Sequence, residues 1–158
     1  VERSRGLGDV YKRQALVGEG LTALAWGEAI SSEQRLKVRE MFAGVSEVLE
    51  LPEAKLDAFL ALTSSGPAFV ALMAEAMADG AVAAGLPRDL AHRLAHRTLA
   101  GTAALLDQRQ LHPATLKDMV TSPGGTTIAG VRALEQSGAR SAFMEAVIAA
   151  AERSRELA

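Results

Sequence analysis

Apolar positions fall into two regimes, strand-like near the start of the chain and helix-like from Glu53 onward. Ala15–Ala25, ALVGEGLTALA, carries Leu16, Val17, Leu21 and Leu24 around two glycines, which predicts a short buried strand entered through a turn. Ser31 or Ser32, followed by Glu33 and Gln34, marks a helix start. Leu36, Val38, Met41, Phe42 and Val45 then supply an apolar face as far as about Ala43. Ser46–Leu51, SEVLEL, alternates as a half-buried strand does. Strand, helix, strand is the order in which an α/β domain ends.

The second regime opens with a helix over Glu53–Leu62, and Thr63-Ser64-Ser65-Gly66-Pro67 breaks it. Pro67 suits the first turn of the next helix, where its missing N–H has no partner to lose. That helix runs to about Ala84, with Phe69, Met73, Ala76, Met77, Gly80, Ala81 and Ala84 recurring at threes and fours. Gly85 stops it. A helix over Arg88–Gln108 follows, with Leu90, Leu94, Leu99, Leu105 and Leu106 as core candidates. Pro113 opens Ala114–Val120, Ser137-Gly138 closes Thr127–Gln136, and Arg140–Leu157 is the last. The five helices from Pro67 onward, with small-residue faces and few bulky anchors, predict apolar surface buried against a second copy of the chain, with a self-contained bundle as the alternative.

Between the third and fourth of these helices lies Ser122-Pro123-Gly124-Gly125-Thr126-Thr127. Pro123 fixes its own φ, the glycines accept positive φ or close approach, and Thr126 or Thr127 begins a helix whose first N–H groups have no partner. Those donors and the positive end of the helix dipole favour a small anion such as a carboxylate or phosphate. The same residues also read as an ordinary interhelical turn followed by a threonine N-cap.

Composition narrows the picture. The chain has 158 residues, 49% of them hydrophobic and only 4% aromatic, so its core is built from Ala, Leu, Val and Met, which favours closely packed helices. A net charge of -2 supplies no basic stripe for nucleic acid or for an anionic membrane. The absence of cysteine excludes disulfides, thiolate catalysis and cysteine zinc sites. No apolar run is expected to reach the roughly 20 residues needed to span a bilayer, and the chain reads as soluble.

Other polar groupings carry less chemistry. His92 and His96 stand four apart with Asp89 ahead of them, but Arg93 and Arg97 lie between and beside them, so a solvated helix face is expected and no metal. His112, before Pro113, is expected to cap a helix. Glu75 and Asp79 read as the polar stripe of their helix, and Glu152 and Glu156 with Arg153 and Arg155 as a charged outer face. Nothing pairs Ser122 with a base, so no triad is expected.

The run Leu116–Gly130, LKDMVTSPGGTTIAG, ending in Leu134-Glu135, resembles the signature of pyrroline-5-carboxylate reductase, and the likeness extends from about Ala15 to Leu157. It implies a mainly α fragment of α+β class: a helical dimerisation and substrate domain over 53–158, preceded over 15–52 by the last strand-helix-strand of a Rossmann-type dinucleotide-binding domain. Residues 1–14, VERSRGLGDVYKRQ, match nothing in the family and look like adapter or linker sequence. The family usually has Ser-Gly-Ser-Gly-Pro where this chain has Thr63-Ser64-Ser65-Gly66-Pro67.

The resemblance implies reduction of 1-pyrroline-5-carboxylate to L-proline with NADPH or NADH, the last step of proline biosynthesis. Carried over by residue, the N–H groups of Gly125, Thr126 and Thr127 hold the substrate carboxylate. Ser122, which shapes the loop, and Gly124 count with them as substrate-binding residues, and the Thr127 hydroxyl is the catalytic group near the ring nitrogen. It further implies a cytoplasmic homodimer or higher homo-oligomer, in which one subunit's helices cover the partner's cofactor domain, with no nucleic-acid or membrane partner. No Gly-x-Gly-x-x-Gly occurs, so the cofactor-binding residues are not assigned and this chain alone is expected to bind nicotinamide poorly or not at all. The alternatives are a non-catalytic helical dimerisation module and the helical substrate domain of another NAD(P)-dependent dehydrogenase.

Overall fold

The computed structural model describes residues 14–157, so the adapter-like segment, apart from Gln14, lies outside the described residues. The described chain divides into two compact units. The first takes the residues up to Pro67 together with those from Glu145 onward, and the second is Ala68–Met144.

In the first unit, β1 (Gly20–Leu24) and β2 (Ser46–Glu50) pair in parallel, with Gly20 opposite Ser46 and Leu24 opposite Glu50. The Thr22 and Ser46 hydroxyls meet at 2.7 Å across the pair. Between the strands runs α1 (Ser32–Ala43), which is what a parallel pair requires, since its connection must cross the sheet. The expected start signal forms a capping box: Ser31 Oγ accepts from the Gln34 N–H, and Gln34 Oε1 accepts from the Ser31 N–H. The expectation for Ala15–Ala25 is met only from Gly20. The residues before it form a turn, with Gly18 at φ 79°.

A single 3-10 turn, Glu53–Lys55, leads into α2 (Leu56–Thr63). Asp57 of α2 accepts a hydrogen bond at 2.6 Å from Ser154 of α7 (Ala139–Leu157), which ties together segments nearly a hundred residues apart in sequence. Ala61 and Ala151, from the same two helices, are buried.

The second unit holds most of α3 (Gly66–Ala83), then α4 (Arg88–Gln108), α5 (Pro113–Met119), α6 (Thr126–Gln136) and the start of α7. Helix limits fall within a residue or two of the expected ones. Asp79 at the end of α3 pairs with Arg88 at the start of α4 across the Gly85 turn, where φ is 105°.

The packing overturns two expectations about the core. Its centre in the second unit is Ala78 of α3 against Ala91 and Ala95 of α4, with Ala81 and Val82 beside them. Of the expected α3 face, Phe69 and Met73 are half-buried and Ala81 lies beside the core, while Met77 is exposed. Likewise Leu94 and Leu105 of α4 are exposed, as are Leu36, Met41, Phe42 and Val45 around α1. Alanines are buried because two helices can approach closely only where side chains are small, and that contact turns the long side chains outward.

Among the described residues, the helical stretch Glu53–Ala83 is long and apolar enough to cross a membrane by length and composition, against the expectation that no such run exists. The Ser64-Ser65 break divides it between α2 and α3, and α3 carries Glu75 and Asp79.

Candidate functional site: the turn between α5 and α6

Two short helices meet at this turn, and both ends of the first are fixed by side chains. Pro113 stands at its first position, and His112 Nδ1 accepts from the Ala114 N–H at 3.2 Å, so the expected cap is present. Leu116 anchors α5 as the one large side chain buried in the second unit among the described residues. After Met119 the chain tightens, and the Thr121 N–H donates to the Asp118 carbonyl. Thr121 Oγ1 donates to the Lys117 carbonyl at 2.6 Å.

Ser122–Gly125 then forms a β-turn closed by a hydrogen bond from the Gly125 N–H to the Ser122 carbonyl at 3.1 Å. Pro123 takes its second position and Gly124, at φ 68°, its third, the arrangement that Pro-Gly favours in a type II turn. Gly125 is the N-cap of α6, with φ -79° and ψ 177°. Its conformation is open to any residue, but a Cβ there would meet Ser122 Oγ and crowd the Ser122 carbonyl oxygen at 3.2 Å, so a side chain at 125 needs the Ser122 hydroxyl to turn away.

One carried-over donor is thereby corrected: the Gly125 N–H closes the turn on the protein's own carbonyl and is not free for a ligand. Thr126, Thr127 and Ile128 occupy the first three positions of α6. Among the described residues their N–H groups have no hydrogen-bond partner, and no side chain caps the helix. The Ala129 N–H is the first of this helix to find a backbone acceptor, the Gly125 carbonyl at 3.4 Å. Ile128 was missed at the sequence level, although counting from the N-cap would have found it.

Ser122, Gly124 and Thr126 are exposed, while Gly125 and Thr127 are half-buried. The first turn of α6 contains no acidic side chain, so nothing within it repels an anion. At the opposite end of α6, Arg140 donates to Glu135 at 2.5 Å. That hydrogen bond holds the Glu135 carboxyl below its ordinary range against opposing desolvation, helped by the positive charges of Arg140 and Lys117. The same partner raises Arg140 further.

The remaining groupings stay separate from this chemistry. The His92 and His96 rings lie 6.3 Å apart, and no cluster of three metal-ligating residues occurs among the described residues. Glu156 pairs with Arg153 on α7. A cleft of about 510 Å³ in the first unit is lined by Ala25, Trp26, Gly27, Ile30, Gln34, Lys37 and Val38. It sits where β1 leads toward α1, in the part of the chain read as the end of a Rossmann-type domain, whereas the phosphate-gripping turn of such a domain follows its first strand.

Known proteins resemble this chain over most of its length. The family model described as pyrroline-5-carboxylate reductase dimerisation matches residues 53–157. Pyrroline-5-carboxylate reductase of Synechocystis sp. is 53% identical over 143 residues, covering 90% of this chain and 54% of the relative. The Arabidopsis thaliana enzyme is 48% identical, covering 90% and 52%. Among solved structures, the Streptococcus pyogenes reductase superposes with a TM-score of 0.85 at 29% identity, covering 90% of this chain and 55% of that one. The Plasmodium falciparum pyrroline carboxylate reductase, solved with NADP bound, gives 0.83 at 32% identity, covering 90% and 57%. The chain thus spans about half the length of the relatives it matches.

Proposed function

We propose, from the premise that this chain belongs to the pyrroline-5-carboxylate reductase family, that it supplies the substrate-binding and dimerising half of an enzyme reducing 1-pyrroline-5-carboxylate to L-proline. The observation that carries the reading is the set of unpartnered amides at Thr126, Thr127 and Ile128, at a helix start without an acidic side chain in its first turn. A cyclic imino acid presents a carboxylate next to its ring nitrogen. The carboxylate suits those amides and the positive end of the α6 dipole.

With the carboxylate on the α6 amides, the Thr127 hydroxyl is the donor assigned to the ring nitrogen. Reduction adds a hydride to the imine carbon and leaves the nitrogen with the electron pair of the former π bond, which a proton satisfies. A nicotinamide cofactor supplies hydride, and NADPH or NADH is proposed on the strength of the NADP-bound Plasmodium relative. This chain's residues orient the acceptor and stabilise charge, work that needs no nucleophile.

A homodimer or higher homo-oligomer is part of the proposal. Val70, Leu72, Leu94, Met119, Leu134 and Phe143 of the second unit are all exposed large apolar side chains that a second copy could cover. The dimerisation family of residues 53–157 accounts for them by a second copy. A cytoplasmic setting, with neither nucleic acid nor membrane as partner, completes the proposal.

Steady-state reduction of the imine by the complete gene product, followed by loss of NADPH absorbance, tests it. Thr127→Ala is expected to lower kcat about a hundredfold, with Thr127→Ser recovering much of it and sedimentation unchanged. Unchanged kinetics in Thr127→Ala remove Thr127 from the site, and absence of imine reduction by the unsubstituted protein removes the activity itself.

A further inference from the structure

Four carbonyls at the end of any helix lack an intrahelical donor, and how they are satisfied sets the direction in which the chain leaves. At the end of α5 the Thr121 N–H, the natural partner of the Lys117 carbonyl, has turned to the Asp118 carbonyl, three residues back. The Val120 N–H still reaches the Leu116 carbonyl at 3.3 Å. The Lys117 carbonyl is thus left by the tightening of the last turn, and Thr121 Oγ1 takes it at 2.6 Å. One residue thereby uses its backbone donor to tighten the helix end and its side chain to satisfy the carbonyl so released.

Thr121 is half-buried and directly precedes Ser122, whose carbonyl closes the turn and whose hydroxyl sits against Gly125. Any rotation at Thr121 is passed through Pro123, whose φ is fixed, to the amides of Thr126 and Thr127. We propose that Thr121 is a positioning residue for substrate: its hydroxyl sets the angle at which the Ser122–Gly125 turn presents the α6 amides to the carboxylate. The proposal rests on the substrate site described above. It adds a residue that touches no substrate atom and acts through the Lys117 carbonyl and the turn.

The test compares Thr121→Val, close to threonine in shape but without the hydroxyl, with Thr121→Ser, which keeps the hydroxyl and loses the methyl. Gly125→Ala serves as a control on the site itself. Each is assayed in the complete gene product with 1-pyrroline-5-carboxylate as the varied substrate. Thr121→Val is expected to raise KM for the imine roughly five- to tenfold with kcat changed less than about twofold, and Thr121→Ser to restore KM. A Thr121→Val protein with ordinary KM, beside a disabled Gly125→Ala, overturns the role of Thr121 and leaves the site standing. Ordinary KM in both overturns the site. Should Thr121→Val fail to fold by circular dichroism, Thr121→Ala against Thr121→Ser carries the comparison, and a serine variant as impaired as the alanine one overturns the proposal.

Discussion

The hydroxyl of Ser122 occupies the space that a side chain on Gly125 would need, while the Ser122 carbonyl accepts the Gly125 N–H at 3.1 Å. These two contacts fold the turn back on itself. The next three amides, from Thr126 onward, then follow one another without partners among the described residues. The glycine matters here for lack of a Cβ, and Gly124 matters for its φ of 68°.

Gly125→Ala therefore pushes Ser122 Oγ out of place and crowds the Ser122 carbonyl that closes the turn. Denaturant unfolding is expected to show a loss of about 1–3 kcal/mol, part of which the double variant Ser122→Gly/Gly125→Ala recovers by removing the obstructing hydroxyl. Equal stability of Gly125→Ala and the unsubstituted chain contradicts the packing described.

Capping of α5 by His112 gives a second expectation. The Ala114 N–H needs an acceptor, and His112 Nδ1 provides it. His112→Ala is expected to cost about 0.5–2 kcal/mol in unfolding free energy and His112→Asn much less. Equal losses in both variants would assign the effect to something other than the cap.

Acid sensitivity is expected from Glu135 and Arg140. The Arg140 hydrogen bond holds the Glu135 carboxyl below the ordinary carboxylate range in the folded chain. Its contribution is thus fully present above the ordinary carboxylate range and lost as pH falls through the lowered value. Both side chains are well exposed, so the effect is small and weakens with salt. The unfolding midpoints of Glu135→Gln and the unsubstituted chain should differ near neutral pH at low salt and converge as pH falls through that lowered value. A gap that widens on acidification contradicts the sign.

Much of this fold is written locally. Ser31 with Gln34, Pro113 behind His112, and the glycines at 85 and 138 act on neighbours a few residues away, and the elements begin and end close to where those signals stand. Which face each helix buries is not local. Met77 and Ala78 are adjacent in sequence, yet Ala78 is at the centre of the unit and Met77 is exposed. Periodicity marks both an interior and an interface as apolar and cannot separate them in a chain whose large side chains face outward.

At the candidate site, the turn and helix start of Ser122 through Thr127 were legible from a proline, two glycines and two threonines in a row. The loss of the Gly125 amide was legible as well, since Pro-Gly in the middle of a turn implies a closing bond from the fourth residue. The role of the Thr121 hydroxyl was not, because it depends on how tightly the last turn of α5 winds.

The most direct measurement is a titration of the ¹⁵N-labelled chain with L-proline, the product that shares the substrate's carboxylate, and in parallel with L-prolinamide, which lacks the anion. The Thr126, Thr127 and Ile128 amide resonances are expected to shift saturably with L-proline and to stay in place with L-prolinamide. Shifts that are absent with L-proline, or equal for the two ligands, contradict carboxylate binding at the start of α6.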